Sequence, residues 1–282
     1  MNKSKLILNG LISIGAISTS LSVSAEVILP KASPISHVSQ RIGVTDVSIE
    51  YSSPGVKGRK VFGDLVKFGE VWRTGANMCT TITLSTSAIV AGKEVPKGSY
   101  CLFTIPNKDS WTVILNGEGN QPGAFVYDQA KDVARVEVKP EKGESTERLT
   151  FSFANFSENE GKLNLNWDNV KLSIPMEFKT ADLVNQNIES LNDESTGADY
   201  GDAAKYVFQD LGDAERALVL VDKSIAKEET WNNNWIKAQI LAKKGMNSEA
   251  KILAEKALSL GDETVVFKYF KPSIEKAVKN WS

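Results

Sequence analysis

The sequence predicts a mainly β protein, an antiparallel β-sandwich or barrel-like domain, followed by a small α-helical repeat-like domain. Three observations carry this prediction. Apolar residues alternate with a period of two from about Val44 to Phe178, and turn signals cut the alternation into short runs. After residue 198 the spacing becomes helical, and a weak internal repeat appears. Seven or more short strands at such spacing imply two packed sheets or a closed one.

The elements follow in chain order. Residues 1–25 read as a signal peptide: Lys3 and Lys5, an apolar run from Leu6 to about Ile17, then small residues ending at Ala25. That run is too short to span a bilayer comfortably, and no later stretch reads as a transmembrane anchor. Residues 26–43 form a Ser/Pro-rich entry segment. Within 44–178, DVSIEYSSPG sets Val47, Ile49 and Tyr51 on one face and stops at Pro-Gly. TTITLS, SYCLFTIP, SWTVILNG, ARVEVKP, RLTFSFANF, KLNLNW and VKLSIPMEF read as further strands. AGKEVPKG, IPNKDS, NGEGNQPG and KPEKGES read as turns between them.

Residues 179–197 read as a linker, because Asn, Asp, Glu and Ser crowd the stretch that leads into the helices. In 198–282, FQDLGDAERALVLVDKSIA aligns with LAKKGMNSEAKILAEKALS at an offset of 33, pairing Gly212 with Gly245 and Ala217 with Ala250. A helix, a turn at Gly and a second helix with small residues at the seam is the tetratricopeptide pattern. Two units fall short of a long groove, so the tail reads either as hairpins packed on the β domain or as a surface for a protein partner.

Composition excludes several functions. Without residues 1–25 the chain carries 31 basic and 35 acidic side chains, and no basic run marks it for nucleic acid. One histidine, His37, lies in the entry segment without a nucleophile-elbow motif, so no triad is legible. No metal-ligand spacing and no phosphate-binding loop occurs, which predicts neither metal nor cofactor.

The candidate ligand-binding residues are Arg59, Trp72, Arg73 and Asn77, in and before VWRTGAN. An arginine beside an indole can stack on it and still offer a planar fork to an anion. Two readings stay open. In one, Arg73 pairs with Asp64 or Glu70, Gly75 takes a positive φ, and Asn77 staples the corner. In the other, Arg59, Arg73 and Asn77 converge beside Trp72 on a small anionic or glycan ligand. Cys79 and Cys101 are candidate disulfide partners in an exported chain. Parity favours two separate thiols: Cys79 lies opposite the Ile82 and Leu84 face, whereas Cys101 shares a face with Phe103 and Ile105.

The runs YSSPGVKGRKVFGDLVKFGEVWRTGANMCTTITLS and AGKEVPKGSYCLFTIPNKDSWTVILN resemble the secreted bacterial family called domain of unknown function 2911, across about Ser39 to Phe178. The resemblance implies an exported β-rich domain, sometimes followed by helical repeats, and no established reaction. It also implies a Glu after the Asn of W-R-T-G-A-N, where this chain has Met78. The functional expectation is an exported, non-catalytic binding or interaction module of the bacterial envelope. The alternatives are a carbohydrate-active hydrolase with two carboxylates in a cleft near Trp72 or Trp111, and a purely structural envelope protein.

Overall fold

The computed structural model describes residues 29–119 and 121–281. The signal-peptide expectation for residues 1–25 lies outside them. Ten strands come first: β1 (Ile35–Ile42), β2 (Thr45–Ser52), β3 (Thr80–Leu84), β4 (Ala88–Val90), β5 (Lys93–Val95), β6 (Gly98–Ile105), β7 (Trp111–Asn116), β8 (Asp132–Val138), β9 (Pro140–Ala154) and β10 (Glu160–Glu177). Six helices follow: α1 (Thr180–Glu189), α2 (Gly197–Gln209), α3 (Ala214–Lys227), α4 (Trp231–Lys243), α5 (Asn247–Ser259) and α6 (Val265–Asn280).

The strands build two antiparallel sheets, in orders β1-β2-β3-β6-β7-β8 and β5-β4-β10-β9. Their inner faces meet in one core. Ile49, Ile82, Leu102 and Leu115 come from the larger sheet, and Phe151, Leu163, Leu165 and Leu172 from the smaller. The period-two pattern works because each strand turns one apolar row inward. The Tyr51 ring meets Phe151 edge-on at 4.9 Å, and its hydroxyl accepts from the Phe151 amide at 3.2 Å. Beyond β2 the chain crosses to the other sheet, where Val56 N donates to Glu147 O and Leu149 N to Pro54 O.

Several expected boundaries move. The entry segment contains β1, which pairs along its whole length with β2. Its side chains are mostly exposed, as on an edge strand, so no apolar row announced it. AGKEVPKG holds β5 and the turn that joins it to β4, made by Ala91 and Gly92, both at positive φ (46° and 82°). Two such residues make the turn whose twist matches that of a hairpin. KPEKGES is the first half of β9 rather than a turn, and KLNLNW and VKLSIPMEF are one strand, β10. The ladder between β9 and β10 shifts on both sides of Asp168, whose φ is +55°. The linker region 179–197 contains α1, anchored by Ile188 in the helical core.

The tail follows its repeat. The α2–α3 and α4–α5 pairs each bend at the expected glycine, Gly212 (φ +72°) and Gly245 (φ +81°). At Gly245 the amide donates to Ala242 O and that of Met246 to Leu241 O, closing α4 with the left-handed cap that favours glycine. Capping boxes open α2 (Thr196, Asp199) and α4 (Thr230, Asn233). Ala217 and Ala250, the paired small residues, are fully buried at the seams.

Candidate functional site

Alternation along VWRTGAN sends its side chains in opposite directions. The Trp72 backbone exchanges two hydrogen bonds with Thr104, at 2.8 and 2.9 Å. The indole therefore points inward and stacks on Trp167 (5.7 Å, 21°), with Phe62 at 6.1 Å and Trp111 at 6.3 Å. Its Nε1 donates to Gly75 O at 3.1 Å. Thr74, not Gly75, takes the left-handed backbone (φ +54°), as does Asn77 (φ +58°). A β-branched residue there is strained, and Thr74 is held by hydrogen bonds to Trp72 O and the Thr104 hydroxyl. Glycine is needed at 75 for room: a Cβ would lie 2.8 Å from Thr80 Oγ1 and 3.2 Å from Ser52 O.

The four candidate residues do not share a cleft. Arg59 closes its own turn, donating to Val56 O at 3.0 Å and to Gly55 O at 2.6 Å. Asn77 donates to Ser52 Oγ at 3.0 Å, so it staples the corner to β2. Arg73 points out under the loop that follows β7, where its Nη1 lies 3.1 Å from the place of a Cβ on Gly123. The pairing with Asp64 or Glu70 is absent. Asp64 faces Lys67 at 3.6 Å, and the buried Arg73 Nε has no partner among the described residues.

The outer face also explains the cysteines. Thr80 is opposite Leu102 and Thr81 opposite Cys101, so Cys79 and Cys101 lie diagonally on one face and form a disulfide with Cα atoms 5.7 Å apart. The expectation of two separate thiols is corrected. Cys79 does lie opposite Ile82 and Leu84, and Cys101 does share a face with Phe103, but these are one face, because Ile82 packs inward and Phe103 outward. Cys79, Cys101, Phe103 and Ile114 form a second apolar cluster, covered by Val71, Ala124 and Tyr127. This sheet is buried on both faces here. Burial, with the Asp132 carboxylate 2.6 Å away, pushes the Tyr127 phenol up to about 12.

A cavity in the β domain lies on the other side of the aromatic nest. It is a cleft of about 470 Å³ assembled from four separate segments: Lys60 to Phe68, Asn107 to Trp111, Pro140 to Lys142, and Asp168 to Val170. Phe62, Phe68 and Trp111 form its apolar side. Phe68 folds over Gly63, where a Cβ would meet its ring at 2.7 Å. Trp72 stands behind Phe62 as support. The wall is the double register shift of β9 on β10, and irregular ladders of this kind re-aim side chains into sites. Around the rim stand Lys60, Lys108 and Lys142, none with an ion pair among the described residues, and two carboxylates, Glu141 and Asp168. Such a cleft can bind an anionic group beside a flat apolar surface.

Of the two indoles beside which the sequence placed a possible cleft, Trp111 lines it and Trp72 does not, and neither the lysines nor Asp168 were legible as part of it. Two other acids, Asp128 and Asp132, are structural: Asp128 caps a short 3-10 turn, and Asp132 is held by Tyr127, Asn116 and Arg135. His37 is exposed on edge strand β1, opposite Glu50. No group of His, Cys, Asp or Glu that could hold a metal ion occurs among the described residues, and no described helix is long and apolar enough to cross a membrane.

The family model described as a protein of unknown function (DUF2911) matches residues 33–176. The chain belongs to that family. The match spans the sheets from just before β1 to the end of β10, and so includes all four segments of the cleft. No curated protein and no solved structure matches the chain.

Proposed function

We propose that this member of the family is an exported binding module whose β domain takes a small anionic ligand with a flat or sugar-like face. The reading rests on one observation: three lysines without an ion pair among the described residues surround an aromatic-sided cleft of about 470 Å³. Unpaired ammonium groups beside apolar surface favour a ligand that brings its own negative charge. The leader pattern of residues 1–25 and the Cys79–Cys101 disulfide support export.

The test is thermal melting against a panel of uronic acids, glycans, organic acids and phosphates, with Lys108→Ala and Lys142→Ala beside the parent. A ligand at a hundred times its Kd adds about 2.7 kcal/mol of stability. The expected result is a panel member that raises the parent's melting temperature and shifts the two exposed-lysine variants much less. A panel without effect, or a shift that both variants keep, overturns the reading.

A second reading has one specific support: Glu141 and Asp168 line the same cleft beside Trp111. Two carboxylates flanking a glycosidic bond are what hydrolysis requires. Under that reading Asp168→Asn abolishes release of reducing sugar while leaving ligand-induced stabilisation in place. A binding module shows no release in either form.

A further inference from the structure

The helical tail ends on α6, whose first turns carry exposed apolar side chains. The inner side of α6 carries Phe267 and Ile274, which pack against Trp231, Trp235 and the alanines of α5. On the opposite side Val265 is 83% exposed and Tyr269 78% exposed. They are four residues apart, and Lys276 continues the same stripe seven residues beyond Tyr269. Arrays of stacked helix pairs need a polar outer face on their last unit to stay apart in water. On α6 that polar face, which carries Lys268, Lys271, Lys276 and Lys279, is broken at its start by exposed Val265, Val266 and Tyr269.

The other end of the tail has the opposite character. A groove of about 310 Å³ runs between α1 and α2, with Val184, Ile188, Leu191 and Tyr206 as its apolar surface and Asp199 and Asp202 at its margin. The charges are as unequal as the shapes. Residues 180–213 hold eight acids and a single lysine, whereas residues 264–282 hold four lysines and a single Glu. The tail is thus acidic and grooved at its start, basic and ridged at its end.

We propose that two copies of this chain associate head to tail, with the Val265–Tyr269 stripe of one copy seated in the α1–α2 groove of the next. Lys276 then lies towards the acidic margin of that groove. The contact is heterologous, because the two surfaces differ, so it propagates into short chains or closes into a ring rather than stopping at a symmetric dimer. It is independent of the cleft in the β domain and of what that cleft binds.

The test is sedimentation of the purified protein as a function of concentration and salt, with two exposed charge reversals, Asp202→Lys and Lys276→Glu. The expected parent behaviour is a mass that grows with concentration in low salt and falls to the monomer near 0.5 M salt, where the screening length is only a few ångströms. Each variant alone sediments as a monomer, since its reversed charge meets a like charge on the next copy. Mixed in equal amounts, the two restore concentration-dependent association: the intact α6 of the Asp202→Lys chain meets the intact groove of the Lys276→Glu chain, and the swapped pair at the other contact is again of opposite charge. Unchanged circular dichroism and melting of each variant confirm that both are folded. A parent that is monomeric under all conditions overturns the proposal. So does association that neither reversal weakens, or a mixture that stays monomeric.

Discussion

Replacing both Cys79 and Cys101 with Ala tests the packing of the outer sheet face directly. The two residues are 22 apart in sequence. Treating the bond as a restriction on the unfolded chain, a loop of that length is worth about 3.4 kcal/mol. Both positions are at least 95% buried in an apolar cluster, so Ala fits there without exposing a polar group. For a protein of this size each kcal/mol moves the melting temperature by roughly 2–4 °C, and the double variant should therefore melt about 7–14 °C lower. Circular dichroism melts of parent and variant give that difference. Titrating thiols in the denatured, unreduced parent gives the bond count, expected to be zero free thiols per chain. Two free thiols, or a double variant that melts like the parent, would refute the shared-face argument from the β3–β6 register.

Trp72→Ala should destabilise the protein by about 3–5 kcal/mol, the usual cost of removing a packed aromatic, measured by urea unfolding. A loss below 1 kcal/mol would mean that the ring lies outside the nest formed with Phe62, Trp111 and Trp167. Arg73→Met should leave stability within about 1 kcal/mol, since the buried Nε has no described partner to lose and Met keeps the stem's packing. A large drop would show that the guanidinium has a structural partner after all. The Tyr127 phenol is held protonated up to about 12, chiefly by burial and next by the bond to Asp132. A raised folded value means that this contribution is whole below the unfolded value near 10 and is lost as pH rises towards 12. Stability measured across that window should fall in the parent, and Tyr127→Phe should flatten the fall. Equal slopes in the two proteins would contradict it. Ser110 and Thr112 hydroxyls hold the Glu137 carboxyl below its usual range, so their stabilising bonds weaken only as pH drops through that lowered value. Glu137→Gln should therefore reduce the loss of stability in acid, as read from melts between pH 5 and the acid limit of folding.

Much of this architecture is local and was legible residue by residue. Alternation marked strands wherever one face is buried and the other wet, as in β2 and β3, and Gly212 and Gly245 marked helix ends because left-handed backbone favours glycine. Edge strand β1 and the first half of β9 bury little, so neither left an apolar row to read. The corner at VWRTGAN shows the same divide. Its residue types announced an unusual turn, but the direction of Trp72 and Arg73 depends on pairing with Thr104, thirty-two residues after Trp72. Which side of β6 carries the disulfide depended on a second covering layer, the loop after β7, which no periodicity in β6 itself reveals. The cleft is the strongest case. Lys60, Lys108, Lys142 and Asp168 lie on four segments, each reading alone as a polar turn or an exposed strand end. They become neighbours only when the two sheets close around the aromatic nest and the β9–β10 ladder slips at Asp168. Patterns of burial are written along the chain, because each strand or helix must hide its own apolar face. A site drawn from separated segments exists only once those faces have met.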